Sequence, residues 1–390
     1  MEFELNEQQA AFQDAARQFA ANEFAPHAAR WDETAEFPRA AIARAGELGF
    51  CGLYTPEEAG GLGLSRLDSS LVLEELARGC TSTTAFISIH NMATWMVGAF
   101  ANEETRSALC PSLAAGETLA SYCLTEPGAG SDAAALKTRA TRTGDGYVLN
   151  GAKAFISGAG DTDVLVVMAR LADASGPRPG ARGISAFAVD AASPGITFGR
   201  KEAKLGWNNQ ATRQVVFEDV PVPAARLLGE EGEGFKIAMR GLDGGRINIA
   251  SCSVGTAQAA VEQCRFYMGE RRAFGQTLAS LQALQFKLAD MATGVVASRQ
   301  MVRMAAWKLD HGDADATVYC AMAKRFATDT GFDVCNEALQ IHGGYGYIKE
   351  YPLERYLRDT RVHQILEGTS EIMRVIIARR LLLEGAGEIL

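Results

Sequence analysis

"YVLNGAKAFISGAG", residues 147–160, decides how this chain is organised. It reads as two short strand-like runs joined at Asn150-Gly151, a dipeptide that favours a two-residue hairpin turn. "DVLVVMAR" (163–170), "GISAFAVD" (183–190) and "RQVVFEDVPVP" (213–223) are also strand-like, with turn residues between them. Helices do not alternate with these strands, so the reading is an antiparallel, barrel-like domain of roughly a hundred residues.

Both flanks read as helical. Upstream, Asn6 with Gln9 three residues later reads as a capping box. Phe12, Ala15, Ala16 and Phe19 then keep helical spacing. Further helices are predicted over 40–49, 66–79, 83–101 and 103–115, with "TPEEAGGLGLS" (55–65) as a loop. Downstream, long amphipathic segments near 233–268, 281–309, 314–342 and 370–384 predict a four-helix bundle. "HGG" (342–344) stops one helix and "EGAG" (384–387) the last. The expected units are a helical domain over 1–118, a β-domain over 119–231 and a helical bundle over 232–390. The fold class is mainly α with a middle β-barrel domain.

Composition narrows the function. The 390 residues carry a net charge of -9, which argues against nucleic-acid binding. Hydrophobic residues make up 47% and charged residues 22%, as in ordinary globular proteins. No apolar run reaches the ~18 residues a membrane span needs. The acidic start "MEFELNEQQ" resembles neither a signal peptide nor a basic transit peptide. The expected location is a bacterial cytoplasm, or the mitochondrial matrix for a processed form. Eight scattered cysteines without a C-x-x-C pair are expected to be reduced and buried. Five dispersed histidines show no metal-ligand spacing, so no metal is expected.

Five segments can carry chemistry. "CLTEPGAGSD" (123–132) is a glycine-rich loop. Pro127 and the strand signals after it argue against a Rossmann turn. It is either a tight turn or a cradle offering N–H groups, Thr125 and Ser131 to a phosphate or a polar ring. In "GERRAFGQTLASLQ" (269–282), Arg271 and Arg272 can fork onto a pyrophosphate and Phe274 can stack on a flat ring, or the stretch is a solvated turn. Gly343 and Gly344 in "LQIHGGYGY" (339–347) either end a helix or admit a ligand close to the backbone. Asp243 and Arg246 in "LDGGRINIA" (242–250) form a local helix ion pair or face a pocket. Glu367, between Leu366 and Gly368, is a cap or a general base whose basicity burial would raise.

Taken together, these segments resemble the acyl-CoA dehydrogenase family from end to end. "YCLTEPGAGSD" (122–132), "GERRAFG" (269–275), "QIHGG" (340–344) and "ILEGTSEIMR" (365–374) are similar to that family's motifs, in its order and spacing. Within the family, "LDGGRINIASCS" (242–253), "CTSTTAFISIHNM" (80–92), "NGAKAFISGAGD" (150–161) and "RVHQILEG" (361–368) are most similar to members that oxidise isobutyryl-CoA in valine breakdown. The resemblance implies a helical domain, a β-domain and a four-helix bundle, usually in a homotetramer with one FAD per subunit. It implies acyl-CoA as substrate and electron-transfer flavoprotein as electron acceptor.

The resemblance also assigns residues. Tyr122, Cys123, Leu124, Thr125, Gly130 and Ser131 would hold the flavin and its pyrophosphate, with Phe155, Ile156 and Ser157 by the isoalloxazine ring. Many relatives have tryptophan where this chain has Phe155. Arg271, Phe274, Gln282, Gln340, Gly343 and Gly344 would reach the neighbouring subunit's FAD. Thr369, Ser370 and Glu371 would hold FAD in their own subunit. Ser131, Asp243, Arg246, Gly368 and Arg379 would contact acyl-CoA. Glu367 would be the catalytic base, removing the α-proton while hydride leaves the β-carbon for the flavin. Isovaleryl-type and long-chain members carry this base just before the arginine of the 242–250 segment, where this chain has Gly244-Gly245. The two glycines are expected to leave room for an α-methyl branch. Leu366 stands where medium-chain relatives have tyrosine.

Overall fold

The computed structural model describes residues 4–173 and 176–382. Asn6 opens α1 (Glu7–Phe19) with the expected capping box: its side chain accepts the Gln9 N–H at 2.8 Å, and Gln9 accepts the Asn6 N–H at 3.2 Å. The helical part continues through α2 (Ala28–Thr34), α3 (Arg39–Glu47), α4 (Arg66–Gly79), α5 (Thr81–Phe100) and α6 (Glu103–Ala114). The expected helices match α3 to α6 within a few residues; the seven-residue α2 was not anticipated, being too short for its period to show. A core of Phe19, Phe24, Trp31, Leu73 and Phe86 holds α1, α2 and α4 together.

The middle part is one sheet. Its strands are β1 (Ala120–Cys123), β2 (Arg139–Arg142), β3 (Gly146–Ser157), β4 (Val164–Asp173), β5 (Gly176–Pro177), β6 (Ile184–Asp190), β7 (Ile196–Phe198), β8 (Thr212–Pro223) and β9 (Leu227–Leu228). They run in the order β7-β8-β3-β2-β4-β6-β9, with β1 and β5 also paired to β4.

Two expectations change here. Asn150-Gly151 is not a hairpin turn. β3 runs through it unbroken against β8, and the pairing register shifts there instead. Gly151 has φ 149°, and a Cβ on it would lie 2.6 Å from the Thr138 Cα, so the strand bulges where only glycine fits. Asn150 bridges to Asp219 on β8 with two hydrogen bonds of 3.0 Å. The sheet is also not purely antiparallel: β1 and β2 both run parallel to β4.

The last part holds α7 (Gly234–Glu270), a small hairpin of β10 (Arg272–Ala273) and β11 (Gln276–Thr277), α8 (Gln282–Asp310), α9 (Ala316–His342), α10 (Leu353–Arg361) and α11 (Ser370–Leu381). α7, α8 and α9 pack on one another, and α11 lies on α9. Their core is rich in alanine, valine and cysteine, small side chains that let the helices approach closely. Gly343, at φ 58°, ends α9 as expected. "EGAG" lies outside the described residues. α7 also packs on α4, α5 and β6, and so ties the three parts together. All eight cysteines are free and buried. No helix among the described residues is long and apolar enough to cross a membrane.

Candidate active site

A cavity of about 300 Å³ opens where the three parts meet. β1 and the loop after it supply Tyr122, Leu124, Thr125, Gly130 and Ser131. The end of β3 supplies Phe155, Ile156 and Ser157, α7 supplies Arg246, and the 366–368 segment supplies Leu366, Glu367 and Gly368. Residues scattered over about 245 positions thus share one wall, because β1, β3 and α7 converge there.

Glu367 has an unusual backbone. It has φ 53° and is followed by Gly368 at φ 92°. A non-glycine residue in this region stores strain of about 1–3 kcal/mol, held only when its surroundings force it. The forces are visible. Thr369 caps α11 by accepting the Ile372 N–H. Gln364 and Ser370 both donate to Asp329 of α9, at 2.9 and 3.1 Å. Lys324 of α9 donates to the Gly368 carbonyl at 2.8 Å. Phe155 and Trp207, on the same cavity, also have positive φ, at 57° and 54°.

The Glu367 carboxylate has a distinctive environment. Although the residue is only half-buried, its Oε2 is sealed and has no hydrogen-bond partner among the described residues. Burial pushes its pKa up to about 7, against the opposing charges of Lys324 and Arg246. That matches a base working near neutrality. The Tyr122 hydroxyl on the same cavity is likewise buried, without a hydrogen-bond partner among the described residues.

Gly245 makes this arrangement possible. A Cβ there would stand 2.1 Å from Glu367 Oε2. Gly244 has a different role: a Cβ there would meet Arg66 Nη1 at 2.3 Å. The expectation that both glycines leave room for a branched substrate is therefore corrected, since one faces the carboxylate and the other a guanidinium. Arg66 in turn lies 3.4 Å over the Tyr54 ring.

Asp243 and Arg246 satisfy both readings left open above. They pair at 2.6 Å, and Arg246 also lines the cavity. Asp243 does not line it; its second oxygen accepts from Thr317 at 2.7 Å. Cys123 points into the sheet core. Thr369, Ser370 and Glu371 form the first turn of α11 and its cap, outside the cavity wall. Arg379 is exposed on α11 and is not part of that wall.

The remaining predicted residues gather at a second basin of about 430 Å³. Arg271, Gly343 and Gly344 line it with Tyr267, His342 and Tyr345. The Arg271 guanidinium lies 5.1 Å from the centre of the Tyr345 ring. Phe274 stands 92% exposed on the β10–β11 turn. Gln282 and Gln340 are exposed at helix ends nearby.

Several cavity residues carry no mark in the sequence. Ile89, Met92, Phe235, Met239 and Leu242 line it from helices, where apolar residues at helical spacing look like any core face; Trp207 lines it from the loop before β8. Lys324 was missed because a single lysine inside a helix reads as a solvated face.

The donor set fits a flat, phosphate-bearing cofactor beside an acyl thioester. A Cβ at Gly128 or Gly130 would meet nothing within 4 Å, so the loop backbone is open to a ligand. Phe155 is 69% exposed beside that loop, a flat apolar wall without a protein neighbour to cover it.

Comparison with known proteins identifies the family. Family models of the acyl-CoA dehydrogenase N-terminal, middle and C-terminal domains match residues 6–117, 121–220 and 232–382. The mitochondrial isobutyryl-CoA dehydrogenase of Bos taurus is 55% identical, covering 97% of this chain and 90% of its own. That of Dictyostelium discoideum is 53% identical over the same shares. The solved butyryl-CoA dehydrogenase of Megasphaera elsdenii is 39% identical, with a TM-score of 0.93, covering 98% of this chain and 100% of its own. This chain belongs to the acyl-CoA dehydrogenase family and shares its three-part fold.

Proposed function

We propose that this protein removes two hydrogens from the α and β carbons of isobutyryl-CoA, giving methacrylyl-CoA, with FAD as cofactor and electron-transfer flavoprotein as acceptor. The observation that carries the reading is the sealed, unpartnered Oε2 of Glu367 in the cavity wall. A carboxylate left without a hydrogen bond is costly unless a ligand completes it. The substrate's α-C–H is what it would meet.

Glu367 takes the α-proton. Such a proton is too weakly acidic for a carboxylate unless the thioester carbonyl is polarised. The Glu367 N–H makes no hydrogen bond among the described residues and is available to that carbonyl oxygen. Bound FAD supplies the acceptor for the hydride leaving the β-carbon. The loop from Tyr122 to Ser131 and the Phe155–Ser157 segment would hold the flavin. Arg271, Gly343 and Gly344 would hold the cofactor of a neighbouring subunit in a homotetramer. The domain limits 1–118, 119–231 and 232–390 are part of the same reading; the last helix before the sheet ends at Ala114 and α7 begins at Gly234.

The preference for a short branched acyl group rests on the isobutyryl-CoA dehydrogenases among the relatives. The cavity supports a short chain. Its apolar end is closed by Trp207, Ile89 and Leu366, which pack together with Ile249.

The test is anaerobic mixing of the purified flavoprotein with isobutyryl-CoA, 2-methylbutyryl-CoA and butyryl-CoA, beside Glu367→Gln. Isobutyryl-CoA should bleach the flavin fastest. Glu367→Gln should slow bleaching by about 10²–10⁴-fold while keeping the cofactor. Faster bleaching with butyryl-CoA would overturn the substrate, and bleaching at the wild-type rate in Glu367→Gln would overturn the base.

A further inference from the structure

The site holds a buried cation that the reaction, as described, does not use. Lys324 is 0% exposed in the middle of α9. A lysine ammonium carries three N–H donors and is costly to bury. Here its hydrogen-bond acceptor among the described residues is the carbonyl of Gly368, at 2.8 Å. A neutral donor would serve that carbonyl equally well, so the hydrogen bond alone does not explain a charge at this place.

The surrounding groups isolate its effect. Glu367 is faced by Arg246 and Cys252 from α7, Tyr54 from the loop before α4, Tyr122 from β1 and Lys324 from α9. Burial raises Cys252, Tyr54 and Tyr122, so these stay neutral. Arg246 is already paired with Asp243 at 2.6 Å. Lys324 is faced in turn by Arg246, by Asp329 of its own helix, by Glu371 of α11 and by His363. His363 is buried and bonded to Ser253 at 2.7 Å, and burial pushes it down to about 3, so it is neutral too. Asp329 is engaged by Gln364 and Ser370. Of the two cations whose charge acts on Glu367, Arg246 and Lys324, Lys324 is the one that no carboxylate engages by a hydrogen bond among the described residues; Arg66 stands against Gly244 and over the Tyr54 ring.

We propose that Lys324 is a positioning residue for the base: its charge favours the ionised form of Glu367 in the resting enzyme, and its bond to Gly368 holds the left-handed turn that aims the carboxylate into the cavity. The proposal rests on Glu367 being the base. It adds a reason for the base to be ready before substrate arrives, although burial by itself would protonate it. The direction is fixed by electrostatics: a nearby positive charge favours the carboxylate, so removing it makes Glu367 harder to ionise. Burial pushes Lys324 itself down to about 8, with the Glu367 charge opposing, so it remains a cation at neutral pH.

The test compares Lys324→Gln, which can still donate to Gly368, with Lys324→Met, which cannot. Two readouts are taken on the FAD-loaded enzyme. One is the infrared titration of the Glu367 carboxyl without substrate, isolated by difference against Glu367→Gln in each background. The other is the acid limb of the kcat/KM pH profile with isobutyryl-CoA. Both variants should move the carboxyl titration and the acid limb upward together, by about one pH unit or more. Lys324→Met should in addition lower kcat on the alkaline plateau, where Glu367 is ionised in every form. Unmoved titrations in either foldable variant would overturn the charge role. A shift in Lys324→Met absent from Lys324→Gln would do the same, by assigning the effect to the hydrogen bond. Equal alkaline plateaus in Lys324→Met and wild type would overturn the aiming role. The carboxyl titration needs no turnover. If wild type fails to react with isobutyryl-CoA, the substrate reading falls while the Lys324 proposal is still decided by the infrared shift.

Discussion

Two fully buried lysines each face a glutamate, Glu367 in the cavity wall and Glu126 in the loop that borders it, and the two pairs are finished differently. Lys153 of β3 meets Glu126 at 2.8 Å and also donates to the Leu124 carbonyl at 3.0 Å. Glu126 takes two further N–H bonds, from Lys137 at 2.6 Å and Thr138 at 2.9 Å. Burial alone would raise its pKa, but the Lys153 charge and these bonds hold it below the ordinary carboxylate range. Lys324 and Glu367 share no hydrogen bond; the lysine is spent on a backbone carbonyl and one carboxylate oxygen is left bare. Burial wins there, and the glutamate rises to about 7. The same two residue types make a locked strut in one place and leave a bare carboxylate oxygen in the other. What separates them is how many of the carboxylate's lone pairs the fold satisfies.

Breaking the locked pair should have the largest effect on stability. Lys153→Met leaves Glu126 buried without its cation and should cost about 3–5 kcal/mol of unfolding free energy. The loop it anchors, residues 124–138, carries Leu124, Thr125, Gly130 and Ser131 of the proposed flavin contacts, so cofactor should also be lost on gel filtration. Adding Glu126→Gln should recover part of the stability, because the buried charge is then gone. Denaturant unfolding of both variants checks this; an unchanged midpoint in Lys153→Met would mean the pair is no strut.

The open pair should respond in rate rather than in stability. Gly245→Ala puts a methyl group where Glu367 Oε2 now sits, 2.1 Å from an ideal Cβ. The carboxylate is the free end of a flexible side chain and will swing aside. A base displaced by about 1 Å costs roughly 10²-fold in rate. Alanine is also the better helix former, by about 1 kcal/mol. Single-turnover flavin reduction and thermal unfolding should therefore part company, with a slow enzyme at near wild-type Tm. A wild-type rate would show that Glu367 works from another position.

Much of this was legible in the sequence, and the exceptions share a cause. The capping box at Asn6 and the long helices were read from local pattern, and Glu367 was singled out by a motif with fixed spacing. Asn150-Gly151 misled because a bulge and a hairpin both call for glycine at a positive φ; only the partner strands decide, and β8 lies over sixty residues away. The parallel pairing of β1 and β2 with β4 is likewise a long-range fact. Gly244 and Gly245 were read as one opening, but adjacent positions on a helix point about 100° apart, so Gly245 faces Glu367 and Gly244 faces Arg66. Lys324 carries no local mark. Its meaning comes from Gly368, forty-four positions on.

The smallest effect follows from the same contrast and concerns pH. A carboxyl raised from 4.5 to about 7 by folding binds its proton more tightly in the native state than in the unfolded one. Native stability from this group is therefore full below pH 4.5 and declines as pH rises toward about 7. Glutamine at 367 has no proton to lose. Wild type and Glu367→Gln should have similar Tm near pH 4.5, and the variant should pull ahead by a few degrees by pH 8. Glu126 has the opposite sign: with a lowered pKa, its contribution is present at neutral pH and is lost on acidification. Glu126→Gln should therefore be the less stable protein at pH 8, with the gap closing as pH falls. Opposite slopes in the two Tm differences would confirm that one glutamate is satisfied and the other is not. Parallel slopes would mean that Glu367 finds a partner in solution and that its bare oxygen is not what makes it a base.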